Sequence, residues 1–204
     1  PIFVDGLSSR AWWDRHDFPW CADIEKSFPI IKEEVCRFCE MTKHGTLEIP
    51  RKWETVGETR AKHDADIVSD GGDWREYVLF GSTNEKQARA KANGADHFPQ
   101  TRAILEKLLP EAVAMATAGI GEIIFSALGG RTHLKPHCAS NNLRLTCHFG
   151  LCCPVGAQIR VGSEWGSWQE GKCTFFDDSY EHEVMNASDN VRIVLLIRFW
   201  HPDL

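Results

Sequence analysis

The chain has 204 residues, 43% of them hydrophobic, and a net charge of −6 from 23 Lys+Arg against 29 Asp+Glu. That length buries a real core and is most simply one domain, residues 1–204, and the apolar fraction excludes wholesale disorder. The acidic balance, with no basic run longer than two residues, argues against a nucleic-acid partner.

No apolar stretch approaches the ~20 residues that span a bilayer. IVLLI at 193–197 reads instead as a core strand. No signal-peptide pattern is visible, so a cytoplasmic protein without a transmembrane segment is expected. The chain begins at Pro1 rather than Met, so an ER- or membrane-anchored parent is the alternative. The eight cysteines are irregularly spaced in a domain too large to need staples, which favours reduced thiols. Cys36 and Cys39 form a CxxC within a helical pattern, with no second ligand pair at zinc spacing. Asn186-Ala-Ser188 matches a glycosylation sequon, a pattern that also arises by chance.

In chain order, a strand-like PIFV and a Trp-rich segment (Trp12, Trp13, Trp20) come first. Ile24, Phe28, Ile31, Val35 and Phe38 then recur at three- and four-residue steps, which predicts a helix from Asp23 to about Lys43. Pro29 should kink it or mark its true first turn. Residues 44–74 lack periodicity and read as a long loop with short strands, a length often tied to function. Glu76 to Phe80 alternate as a strand, 84–96 read as loop or helix, and Pro99 to Leu109 as a helix stopped by Pro110.

From Gly121 the pattern becomes β. GEIIFSAL is apolar and β-branched. Residues 142–152 put Leu143, Leu145, Cys147, Phe149 and Leu151 on one face and Arg144, Thr146, His148 and Gly150 on the other. Gln158–Val161 and Cys173–Phe176 are short strands. Residues 191–200 set Arg192, Val194, Leu196 and Arg198 against Ile193, Leu195, Ile197 and Phe199. Close-spaced strands with Gly and Pro turns indicate a sandwich or jelly roll. The predicted class is α+β: a mainly helical and loop part at 1–118, packed against a jelly-roll core at 119–204.

The chemistry sits on those strands. Arg192 lies among apolar neighbours, and a buried guanidinium needs an anion, whose carboxylate its fork matches bidentately. His137 is expected in a loop, and His182 just before another strand. Two histidines on separate β-elements can share a metal, although imidazole suits Fe, Zn, Cu and Ni alike. Cys147-His148 is no dyad, because adjacent strand residues face opposite ways. Asp177-Asp178 reads as turn capping.

Taken together, LRLTCHFGL, W-x-E-G-K at Trp168–Lys172, FDDSYEHEV, Val191-Arg192 and FWHPDL resemble the aspartate/asparaginyl β-hydroxylases over residues 119–204. A weaker echo covers Gly72-Asp73-Trp74 and Leu105-Glu106-Lys107. The resemblance implies a double-stranded β-helix (jelly-roll, cupin-like) core and Fe(II)- and 2-oxoglutarate-dependent oxygenase chemistry with O2. It implies His137 and His182 as iron ligands, and Arg192, His148 and Ser126 as cosubstrate contacts. Trp74, Glu76, Arg144 and Thr146 fall where the family contacts substrate.

Ala139 stands where many such oxygenases carry a third, carboxylate ligand; the aspartate hydroxylases lack it too. Thr146 replaces an arginine of the peptide-modifying enzymes, and Glu76 a glutamine, so Arg131 and Lys135 are candidates to supply positive charge instead. The resulting expectation is a hydroxylase of a small-molecule, amino-acid-like or peptide substrate. Desaturation, cyclisation or halogenation of a small metabolite, an inactive jelly-roll binding module, and a cupin-like zinc or iron enzyme without an oxoacid are the alternatives. His133 and His201 are expected to be structural.

Overall fold

A computed structural model describes residues 2–41, 47–49, 53–55, 67–69, 71–81 and 94–204. The expected loop or helix over 84–96 lies mostly outside the described residues, as does much of 44–74.

Eight strands build the core: β6 (Ile123–Leu128), β7 (Thr132–His137), β8 (Arg144–Cys152), β9 (Ala157–Val161), β10 (Glu164–Ser167), β11 (Cys173–Phe176), β12 (His182–Asn186) and β13 (Arg192–Trp200). They are divided between two antiparallel sheets. One contains β11-β8-β13-β6 in that order, and the other is β10-β9-β12-β7. This is the double-stranded β-helix, or jelly roll, so the α+β expectation holds. The larger sheet is extended to seven strands by β1 (Trp12–Trp13), β4 (Glu54–Thr55) and β5 (Trp74–Phe80). The N-terminal part therefore contributes strands as well as helices, and β5 pairs directly with β6. A separate pair joins β2 (Glu40–Met41) to β3 (Leu47–Glu48).

The helical expectations shift in detail. The long helix is two: α1 (Cys21–Lys26) and α2 (Phe28–Phe38), divided at Ser27. Pro29 sits in the first turn of α2, where its missing N–H costs nothing. Pro110 ends α3 (Pro99–Leu108) and also opens α4 (Pro110–Thr117), a helix the sequence reading omitted. All eight cysteines are free thiols. Among the described residues, no helix is long and apolar enough to cross a membrane.

The larger sheet is covered on both faces. Its outer face, with Phe125, Cys147, Phe149, Ile193, Leu195 and Ile197, joins Ile24, Ile31, Val35, Phe98 and Leu105 of the helical layer in one apolar cluster. Its inner face meets the smaller sheet through Leu128, Val194, Ile159, Val161 and Val184. Burial on both sides explains why β6, β8 and β13 are buried almost throughout. Gly150 lets the 168–172 loop lie against β8, since a Cβ there would meet the Gln169 carbonyl oxygen at 2.4 Å. The sequon Asn186 is buried, and its amide donates to the Leu128, Gly129 and Asn190 carbonyls, so it is a structural residue.

The helical layer is tied together by a buried carboxylate. Glu34 of α2 accepts the Gln100 and Thr101 N–H groups (3.0 and 2.7 Å) and the Thr101 hydroxyl (2.7 Å), capping α3, which lacks a side-chain cap of its own. Glu34→Ala orphans those donors and is expected to lose about 2–3 kcal/mol in urea unfolding. Unchanged stability would show that the cap is dispensable.

Candidate metal centre and active site

Two imidazoles close the mouth between the sheets. His137 ends β7, His182 begins β12, and the two are register partners with ring centroids 4.2 Å apart. His137 is therefore on a strand, and His182 within one, rather than in the expected flanking loops. His137 Nδ1–H donates to the Lys135 carbonyl (2.7 Å) and His182 Nδ1–H to that of Tyr180 (3.0 Å). Each acceptor is a carbonyl, so Nδ1 carries the proton and Nε2 keeps its lone pair in the neutral ring. Burial, and then the neighbouring His137, push His182 down to about 4, which keeps it neutral. Among the described residues, no Asp, Glu or Cys atom joins the pair closely enough to form a three-ligand cluster. Ala139, which offers no ligand atom, donates its N–H to the Asp178 carbonyl (2.7 Å).

The inner end of the pocket is built around Arg192, 1% exposed. Its Nη1 donates to the Ser126 carbonyl (3.2 Å), its guanidinium lies 4.8 Å over the Trp168 ring, and its Nε has no partner. No carboxylate among the described residues pairs with it, and burial pulls it down to about 10. Trp168 also donates its indole N–H to His148 Nδ1 (3.2 Å). Indole nitrogen only donates, so His148 must carry its proton on Nε2. Burial first, and then Arg192, hold this imidazole well below its ordinary range, so it is a neutral donor. The Ser126 hydroxyl accepts the Trp74 indole N–H (3.1 Å).

The rest of the lining is largely polar. Thr146, Glu76, Glu122, Asp178 and Arg198 take part in it together with Trp74, Leu134 and Leu196. Arg198 is the cross-strand partner of Thr146, and its guanidinium lies 3.3 Å from both Glu122 and Asp178. The Thr146 hydroxyl and Asp178 Oδ1 are buried without partners. Three expected residues lie elsewhere. Arg144 begins β8 and donates to the Ile120 carbonyl (2.8 Å), outside the pocket lining. Arg131 is exposed and paired with Asp189 (2.8 Å). Lys135 is exposed on β7 and lines no part of the pocket. Arg198, Glu122 and Asp178 were not expected. The shared face of Arg198 and Arg192 was the signal for the first. Asp178 is not a turn cap: its carboxylate lines the pocket and pairs with Arg198.

His133 and His201 do structural work. His133 Nε2 meets Glu183 (2.7 Å); His201 donates from Nε2 to the Ser8 carbonyl (2.9 Å) and accepts Asp203 N–H at Nδ1.

The jelly roll thus holds the paired imidazoles and the buried Arg192 in one pocket. A family model described as aspartyl/asparaginyl beta-hydroxylase matches residues 25–202, and the chain belongs to that family. The mouse aspartyl/asparaginyl beta-hydroxylase is 30% identical over 98% of this chain and 24% of its own length. The ornithine lipid ester-linked acyl 2-hydroxylase of Rhizobium tropici is 31% identical over 96% of this chain and 62% of its own. The chain thus spans about a quarter of the length of the mammalian relatives it matches. A Pseudomonas putida prolyl-4-hydroxylase structure aligns at TM-score 0.44, with 11% identity, over 95% of this chain and 94% of that one.

An anion-less buried cation is costly to the ligand-free protein. Arg192→Met, which keeps the length and removes the charge, is expected to raise its unfolding stability by about 1–2 kcal/mol, net of the lost contact with Trp168. A loss of stability would mean that Arg192 is already adequately solvated by its neighbours.

Proposed function

We propose that the chain is an Fe(II)- and 2-oxoglutarate-dependent hydroxylase acting on an unactivated C–H bond of an amino-acid-like or peptide substrate. The observation that carries this reading is Arg192, a fully buried cation with no carboxylate partner among the described residues, in one pocket with the His137 and His182 imidazoles, whose Nδ1 atoms are anchored to carbonyls. The donor set fits the group: His137 and His182 would hold the iron, and the Nδ1 bonds would fix the ring orientations. Iron with 2-oxoglutarate and O2 supplies the oxidising chemistry, inserting oxygen into the C–H bond while the oxoacid becomes succinate and CO2.

The protein's own groups bind and orient. Arg192 pairs its fork with the distal carboxylate of the oxoacid, using the Nε that now lacks a partner. His148 donates Nε2–H toward the same oxoacid, in the tautomer that Trp168 enforces. Trp168 covers the guanidinium and keeps water from it. Ser126 holds Trp74 at the boundary with the substrate end.

The relatives' names point to aspartyl and asparaginyl residues in one case and to an ester-linked acyl chain in the other. The Thr146 hydroxyl, the Arg198 guanidinium and the carboxylates of Glu76, Glu122 and Asp178 favour a polar substrate over an acyl chain.

Incubation of the reconstituted protein with Fe(II), 2-oxoglutarate, O2 and a peptide and amino-acid panel is expected to give succinate and a product heavier by one oxygen. His137→Ala or His182→Ala should lower succinate formation by more than about a hundredfold, beyond what loss of an outer-shell contact costs. Succinate formation that persists in both variants would overturn the metal assignment. N-oxalylglycine with metal should raise the melting temperature of the wild type and not of Arg192→Met; an equal rise in both would remove Arg192 from the role.

A further inference from the structure

A second group of potential metal ligands lies on the far side of the larger sheet. Cys21 and Glu25 are four residues apart on α1 and so share one face. Cys173 begins β11, and the ligand atoms of Cys21, Glu25 and Cys173 all lie within 4.8 Å of one another. The Cys173 thiol in turn contacts that of Cys147 on the neighbouring strand β8. All three cysteines belong to the buried cluster beneath the helices.

The Glu25 carboxylate is divided in its contacts. Oε1 faces the thiols, accepting the Cys173 N–H (3.1 Å) and the Cys21 S–H (3.7 Å). Oε2 is held from the other side by Arg15 (2.6 Å) and Lys172 (3.1 Å). A monodentate carboxylate ligand needs this arrangement, with one oxygen toward the ion and the other anchored by outer groups.

We propose that Cys21, Cys147, Cys173 and Glu25 form a closed structural site for a thiophilic divalent cation, with zinc as the best match. Three thiolates and one carboxylate suit zinc's tetrahedral preference, with ligand–ligand separations of about 3.5–3.8 Å. Cys21, Glu25 and Cys173 already lie within 4.8 Å of one another, and Cys147, which stands outside that trio and contacts the Cys173 thiol, must move in to complete the set. The four deprotonated ligands exceed the ion's charge by two, and the Arg15 and Lys172 cations balance that excess. All four positions come from protein, so no place remains for substrate or water, and the site is structural rather than catalytic. Its mechanical effect is to tie α1 to β11 and β8. On β8, Cys147 faces the helices and the adjacent His148 faces the active site. Thiol–thiol hydrogen bonding and burial push Cys21 and Cys173 well above the usual range in the ion-free cluster, so binding must release protons and tighten as pH rises.

The test uses the full chain, expressed with zinc and dialysed against a mild chelator, with metal counted by mass spectrometry. About one zinc per chain is expected in the wild type and equally in His182→Ala, which separates this site from the histidine pair. Cys21→Ser and Cys173→Ser should each lose it. No retained zinc in the wild type, or undiminished zinc in both serine variants, would overturn the proposal. If the serine variants do not fold, cobalt exchanged into His182→Ala decides. A thiolate-to-cobalt charge-transfer band supports the site, and bound cobalt without that band overturns it. None of these outcomes depends on whether the chain hydroxylates anything.

Discussion

Burial of the larger sheet on both faces is the constraint on which the rest of the structure depends. On β6, β8 and β13 every second side chain must satisfy an apolar helical layer, and the intervening ones must satisfy the space between the sheets. A strand cannot slip by one residue, because that would send Thr146 and His148 into the aromatic layer and Cys147 and Phe149 into the pocket. The antiparallel register then fixes the site. It sets His182 against His137, Arg198 against Thr146 and Glu76 against Ser126. The apolar layer beneath the helices therefore holds the site groups in place without touching them.

Inside that frame the most expensive element is the Arg192 charge. The protein surrounds it with the cheapest partial compensation available, one carbonyl and the face of an indole, and leaves Nε unbonded. The same indole uses its N–H to set the His148 tautomer, so Trp168 orients two donors at once. Both then face a cavity that holds no competing carboxylate at that end. Under the proposed function, these unmet donors would let an incoming carboxylate bind with little reorganisation.

Much of this was legible because period-two alternation survives in 142–152 and 191–200, where strand faces follow from parity alone. The family resemblance supplied the pairing of His137 with His182, which no local pattern reveals, because forty-odd residues of jelly roll separate them. What parity cannot give is depth along a strand. Arg144 shares a face with Thr146 and His148 but stands at the strand's first residue, where its guanidinium reaches the Ile120 carbonyl at the rim. Arg131 has the one positive φ among the non-glycine residues described, 59°, in the turn before β7, and that places its side chain beside Asp189 rather than in the pocket. The helices misled for a related reason. Apolar spacing continues across Ser27, but the backbone does not, and Pro110 carries a start signal as well as a stop.

The polar lining of the pocket shows how strand pairing can alter the meaning of a single substitution. Thr146, judged by the family resemblance alone, would remove a cation from the wall of the pocket. Its register partner Arg198 brings a cation to the same pocket from the adjacent strand. That charge has a different character, because Glu122 and Asp178 flank it at 3.3 Å. A guanidinium between two carboxylates presents an ion cluster with donors and acceptors side by side, rather than a simple anion hook. The unbonded Thr146 hydroxyl and Asp178 Oδ1 add one further group of each kind. Under the proposed function such a surface would discriminate by pattern: a group that can both donate and accept would satisfy it, whereas a bare acyl chain would leave its polar atoms buried and unpaired, at a cost of about 1–3 kcal/mol for each.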